Sequence, residues 1–368
     1  MLSKKGIFFI FLIICILFAG FIYQSKNSEK ENAIDEFAAA GKMINIFLAA
    51  SNTFNHNKHS FFAVLSINPE NMRTGITFIP GEFEVDVDSD GNPVTLKDVN
   101  INDYDKVREY LSKSLKLNIP FYISFYSPDV IKFVDLIEGI DLYVLEKIDG
   151  IFGLKTGLNY LDGDKIMQYI NNVKSGSVFE KYDRIQDIFL TIYYERHKYE
   201  KFVNRINIEI LRKKIKTNIL TNEFVSLASL AMKEGDLFCT VLPGKFSANG
   251  AYYMDEVAYQ IYESKFLKNL VIEEEGEMNI KVRVMNATNI PNLARTARSR
   301  LIREGITVVE FSTSPYGEFD ESVLINQNGD ISDVQTVSDF TGIQKVYHIT
   351  NSTELNDVLF ILGKDYNK

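Results

Sequence analysis

The stretch 119–146, IPFYISFYSPDVIKFVDLIEGIDLYVLE, decides how this chain folds, because strand, helix and strand follow one another in it with their boundary signals in place. Pro120 to Tyr126 is dense in aromatic and β-branched residues, which favour a pleated, half-buried backbone. Ser127 then offers a side-chain oxygen to the free amides of a helix start. Pro128 suits the first helical position, and Asp129 sits where the helix dipole is positive. Val130, Phe133, Val134 and Ile137 recur at helical spacing and share one apolar face. Gly139 ends the helix, and Ile140 to Leu145 begins the next strand. A strand–helix–strand unit of this length builds an α/β sheet, and α/β is the fold class it predicts.

Working outward, short apolar runs bounded by polar residues predict strands at Ile44–Ala50, Phe61–Ile67 and Gly75–Pro80, with an exposed edge strand at Phe83–Val87. From Asp164 to about Met232 the spacing is mostly helical, and Phe238–Leu242 returns to a strand. The first domain, 43–271, therefore reads as a sheet with helices on both sides. Residues 272–278, IEEEGEM, form an acidic bridge to a second domain, 279–368. There Ile280–Met285 is a strand, Asn289 and Pro291 open a helix, and Gly305 closes it. Strands at Ile306–Phe311, Val323–Asn326, Val346–Ile349 and Val358–Leu362, with a helix near Val334–Phe340, complete a small α+β domain.

The net charge of -9 argues against a general nucleic-acid binder, which needs a basic surface to displace counterions from phosphates. Of the two cysteines, Cys15 lies in the N-terminal apolar run, so Cys239 has no partner and no disulfide framework exists. That run, IFFIFLIICILFAGFIY, extends from Ile7 to Tyr23 behind Lys4 and Lys5. It predicts a single transmembrane helix at 7–23, a cytoplasmic tip at 1–6, a linker at 24–42, and the bulk of the chain outside the cell membrane. A signal peptide cleaved near Phe18-Ala19-Gly20 is the alternative.

The residues also carry a family resemblance. Phe121–Val144, Gly157-Leu158-Asn159-Tyr160-Leu161-Asp162-Gly163 and Gln168-Tyr169 resemble segments of the LytR-CpsA-Psr (LCP) family. Val284-Met285-Asn286-Ala287-Thr288, Leu293-Ala294, Leu301, Gly305 and Ile361-Leu362-Gly363-Lys364-Asp365 resemble the small LytR_C-type domain often appended to it. The resemblance implies an α/β/α sandwich with a channel for a polyprenyl lipid. It also implies transfer of a lipid-linked glycopolymer to peptidoglycan, a reaction that needs arginines on the pyrophosphate and carboxylates on a divalent cation.

At most of those positions this chain departs from the family's pattern. Asn52 stands where the family has its first aspartate, and Lys58 and Ser60 replace an arginine and a metal-binding aspartate. Pro80-Gly81-Glu82 keeps an acid but loses an arginine, and Asn171 and Val173 replace two more. Lys181 and Arg184 retain a late basic pair, followed by Gln186. Losing one charge-stabilising donor costs ~100- to 1000-fold in rate, so these losses predict that the usual metal-assisted transfer does not operate.

The phosphate-binding candidates are Arg184, Lys181 and Lys58; Glu82 and His59 are the candidate substitute acid and base. Lys58 with His56 and His59 forms either an improvised phosphate site or a solvated loop, since two histidines without a third ligand are weak as a metal set. Lys181 and Arg184 share a helix face that either holds a phosphate or pairs with Glu180, Asp183 or Asp187. Arg295, Arg298, Arg300 and Arg303 decorate one face of a helix whose other face is apolar, either as solvated surface or as a contact for an anionic polymer.

The expected function is that of a membrane-anchored envelope protein binding a polyprenyl-phosphate lipid or envelope glycan without the usual transferase centre. The alternative is an active phosphotransferase at peptidoglycan that uses Glu82, His59 and Arg184, and only that reading calls for Mg. The anchor, the acidic charge and the lack of a helix-turn-helix signal count against a third reading, a transcription regulator.

Overall fold

The computed structural model describes residues 32–51, 59–99, 104–126, 128–146, 148, 151, 153–173, 178–202, 205–231, 233, 235–271 and 279–367. The expected tip, the apolar run 7–23 and linker residues 24–31 lie outside them, as do Asn52, His56, Lys58 and Ser127. Among the described residues no helix is long and apolar enough to cross a membrane.

The chain enters through α1 (Ala33–Ala39), capped by Asn32, whose side chain accepts from the Asp35 amide. The main sheet then forms from β1 (Ile44–Ser51), β2 (His59–Ile67), β3 (Thr74–Ile79), β6 (Phe121–Tyr126), β9 (Ile215–Thr217) and β10 (Leu237–Val241), in the order β10-β3-β2-β1-β6-β9. The pairs β1·β6 and β3·β10 are parallel, whereas β1·β2, β2·β3 and β6·β9 are antiparallel. Side chains of β1 alternate between two cores: Ile44, Ile46, Leu48 and Ala50 on one face, Phe47 and Ala49 on the other. A central strand buried on both faces reads as the near-continuous apolar run seen in its sequence.

On the first face lie α3 (Asp129–Leu136), α4 (Gly163–Asn171), α5 (Val178–Tyr194) and α7 (Thr221–Ala231), through Val134, Ile166, Ile185, Ile188 and Leu227. The second is covered by α2 (Tyr104–Leu115), α8 (Glu256–Tyr262) and α9 (Lys268–Val271), through Val107, Leu111, Tyr262 and Leu270. The sheet is thus mixed and flanked by helices on both sides. Helix α6 (Arg205–Arg212) runs up to edge strand β9.

One expectation is corrected. The strand after α3, β7 (Ile140–Val144), does not return to the main sheet; it pairs antiparallel with β8 (Gly157–Leu161) in a separate ribbon. Gly139 at φ 79° turns the chain away, and Tyr143 of β7 stacks on Tyr347 of the second domain at 4.1 Å, so β7 is buried between domains. Phe83–Val87 likewise contributes β4 (Glu84–Val87) to a two-stranded ribbon with β5 (Pro93–Thr95), and β11 (Lys245–Phe246) pairs with β12 (Tyr252–Tyr253) in another.

The second domain is a five-stranded sheet built from β13 (Lys281–Asn286), β14 (Thr307–Thr313), β15 (Val323–Asn326), β16 (Val346–His348) and β17 (Val358–Leu362), in the order β14-β13-β17-β15-β16. It is packed by α10 (Leu293–Arg303) and α11 (Ile331–Thr341). Leu293, Ala294, Ala297 and Leu301 of α10 are buried, as their spacing requires, and the arginines occupy the other face.

This domain docks on the first in two places. The open edge of β10 is covered where the Cys239 amide donates to Gly329 O at 2.9 Å, which occupies backbone groups an edge strand would otherwise leave bare. Two buried carboxylates of α5 take donors from the loop after β16. Asp187 accepts from the Thr350 amide at 2.6 Å, and Asp183 from Ser352 Oγ at 3.0 Å.

Candidate functional site

Strands β1, β3 and β6 all end at the same end of the sheet, where β2 begins, and the candidate site lies there. His59 opens β2 and pairs with Ser51 of β1. Its Nε2 lies 2.9 Å from Oγ of Ser124, on β6, and 3.3 Å from the hydroxyl of Tyr104, on α2. Tyr104 stacks on Tyr122 with ring centroids 4.3 Å apart. Burial, partly offset by a hydrogen bond from Ser124, pushes the Tyr104 phenol up to about 12, so at neutral pH it keeps its proton as a donor.

Lys216 faces Ser124 across the β6·β9 pair, and its Nζ stands 5.0 Å from the Tyr104 ring centroid, within cation–π range. A hydroxyl pair, an imidazole and an exposed ammonium thus meet within one strand width. A serine beside an imidazole is the arrangement that activates a nucleophile. Ser124, however, has no exposed surface at all, so its hydroxyl serves here to orient His59.

The structure places the other candidates apart. Glu82 follows β3, close enough to Tyr182 of α5 for its charge to raise that phenol's pKa, and Phe62 lies between His59 and Gly81: its ring centroid is 6.3 Å from that of His59, and the ring also packs against Gly81. The Glu82 carboxylate is held by Lys97 Nζ at 3.2 Å. Arg184 lies across the sheet with α4 and α5. Its guanidinium donates to Glu180 at 2.7 Å and to the Tyr169 carbonyl at 2.5 Å, and rests over the Tyr169 ring. Of the acids its sequence offered as partners, Glu180 is the one it contacts. Lys181 lies half-buried on the same helix, and Lys58 falls outside the described residues.

The divalent cation that the resemblance implies does not fit these residues. Asn52 and Ser60 supply no carboxylate, and the one acid retained, Glu82, is bound to an ammonium. Among the described residues no group of three or more histidine, cysteine or acidic side chains is placed to hold a metal.

Sequence reasoning missed Ser124, Tyr104 and Lys216. A serine within FYISFY, polar in an apolar run, was a legible signal. Tyr104 and Lys216 come from remote segments and carried none.

The comparisons with known proteins follow this division of the chain. Residues 279–366 match the LytR_C family, described as LytR cell envelope-related transcriptional attenuator. No curated protein matches the chain. Among solved structures, TagT bound to LI-WTA aligns with a TM-score of 0.52 and 12% identity, over 67% of this chain and 95% of that one. B. subtilis TagT aligns at 0.50 and 13%, over 69% and 99%. Protein gbs0355 of Streptococcus agalactiae aligns at 0.50 and 12%, over 66% and 91%. At such identities the likeness is one of fold. The chain accordingly joins a C-terminal region that matches the LytR_C family to a first domain with the fold of the LCP-family protein TagT.

Proposed function

We propose that this is a cell-envelope protein, anchored by Ile7–Tyr23 with its bulk outside the cell membrane. It binds a polyprenyl-phosphate lipid or an envelope glycan and lacks the usual metal-assisted transferase centre. The observation that carries this reading is the meeting of His59, Ser124, Tyr104 and Lys216, which is in no ion pair among the described residues, towards the end of β6, while Glu82 is paired with Lys97. A phosphate oxygen needs a cation, and exposed Lys216 supplies one without a metal, beside the buried Tyr104 and His59 that Ser124 helps to hold in place. TagT, which shares the fold, is seen bound to LI-WTA, and that supports an envelope-polymer ligand.

An active phosphotransferase would need Glu82, His59 and Arg184 on one phosphate. The interposed Phe62 and the Arg184–Glu180 pair count against it.

The test is native mass spectrometry of the detergent-extracted protein beside Lys216→Glu and Arg184→Ala. Co-purified polyprenyl phosphate is expected in the parent and in Arg184→Ala, and its loss in Lys216→Glu. Loss in Arg184→Ala alone would move the phosphate to α5. No lipid in any form, together with no binding of soluble wall glycan, would overturn the reading.

A further inference from the structure

A second surface lies at the opposite side of the strand pair, where the chain enters the first domain. The carboxylate of Glu223, at the start of α7, accepts from the Ala33 amide at 3.1 Å and from the Leu220 amide at 2.7 Å. Leu220 is therefore two hydrogen bonds from the point where the N-terminal segment arrives. It is nonetheless 58% exposed, and Ile210 of α6 is 49% exposed. Arg212 ties the two together, its Nε donating to the Ile219 carbonyl at 3.2 Å.

Between them the turn from α6 to β9 presents Lys213 and Lys214, both exposed and neither in an ion pair among the described residues. Lys216 of the same stretch is turned to Tyr104 and belongs to the site above. The exposed acids nearby are Glu209 on α6 and Asp35 and Glu36 on α1, and Asp35 is already taken by Asn32. Residues 24–31 are all that separate Tyr23 from Asn32, a reach of at most about 32 Å. The occupant of this surface is set by that tether: the edge cannot stand farther from the bilayer than a short linker permits. Isolated leucine and isoleucine side chains beside lysines suit an acyl–headgroup boundary that is negatively charged.

We propose that Ile210, Lys213, Lys214 and Leu220 form a contact surface for an anionic lipid bilayer, the one that holds Ile7–Tyr23. The proposal rests on the anchored reading given above. It orients the molecule, with the β9 edge on the membrane.

The chain has no tryptophan, so a single introduced one reports without background. The full-length protein carrying Leu220→Trp is reconstituted in vesicles of brominated phosphatidylcholine with or without phosphatidylglycerol. Ile210→Trp serves as a second reporter, and Leu355→Trp, at a position 84% exposed on the second domain, as the reference. Lipid quenching of both edge reporters is expected to exceed that of the reference by about twofold or more with phosphatidylglycerol present. It should fall to the reference level when Lys213→Glu and Lys214→Glu are added. If the protein floats with the vesicles but the edge reporters match the reference, or quench equally without anionic lipid, the proposed surface is overturned while the anchor stands. If the protein does not float, the anchored reading fails and the surface with it.

Discussion

His348, the last residue of β16, is buried against Tyr194 of α5 with ring centroids 5.3 Å apart, and neither ring nitrogen has a hydrogen-bond partner among the described residues. Burial alone lowers its pKa to about 3, so the ring is neutral inside and charges only when exposed. A depressed pKa of this kind contributes stability that is present above the unfolded value, about 6.5, and is lost as pH falls from there toward 3. Replacing the ring by an apolar side chain of similar volume removes two unsatisfied groups. His348→Leu is expected to raise stability at pH 7 by about 1–2 kcal/mol and to flatten the acid limb, read from urea midpoints across pH. A lower midpoint at pH 7 would show that the imidazole has a partner this account lacks. At this scale the sequence is a partial guide. Ser124, though missed, carried a signal in being polar within an apolar strand, whereas nothing in the neighbours of Lys216 or His348 tells what packs against them.

At the scale of elements, the segment Gly157–Gly163 shows why a short motif can identify a fold. Asp162 caps α4, accepting from the Lys165 amide at 2.9 Å, and Gly163 donates to Asp135 of α3 at 3.0 Å. A Cβ at Gly163 would lie 2.5 Å from the Ile131 carbonyl oxygen and 2.6 Å from its Cα. The contact is backbone to backbone, so neither helix can yield by changing a rotamer. Gly163→Ala should cost about 2–3 kcal/mol by forcing α3 and α4 apart, measured as a fall in the unfolding midpoint; an unchanged midpoint would mean the helices slide freely. The elements themselves were largely legible. Helix α3 and strand β6 end where Gly139 and the aromatic run predict. The pairing of β7 was not legible, because an apolar strand is equally satisfied by the main sheet or by a ribbon buried under another domain.

For the whole molecule, the docking of the two domains turns on α5. Burial raises the carboxyl of Asp187 to about 7 and that of Asp183 to about 6, against the pull of hydrogen bonds from Tyr169, Thr350 and Ser352. Both lie above the ordinary carboxyl value near 3.9. Between about pH 4 and pH 7 the docked form therefore holds protons that the undocked form has released, and docking weakens as pH rises through that window. Asp187→Asn keeps an acceptor for the Thr350 amide and removes the charge. Exchange protection of that amide is expected to drop as pH is raised from 5 to 7.5 in the parent, after correction for intrinsic exchange, by a factor on the order of ten or more. It should stay level in Asp187→Asn. A parent with constant protection would show that the carboxylate is docked in its ionised form.

Taken over the full chain, the sequence by itself determined the mixed α/β class, most strands of the two sheets and which residue types stand at each candidate position. These depend on periodicity, caps and residue identity, which are local. Only the tertiary structure decided that β7 leaves the main sheet and that Arg184 is spent on Glu180. It likewise joined Tyr104 and Lys216 to His59 and Ser124, and set the second domain on the buried aspartates of α5. Each of those is a choice among partners of equal local merit. It is settled by which surfaces the rest of the fold brings within a few ångströms and withdraws from water.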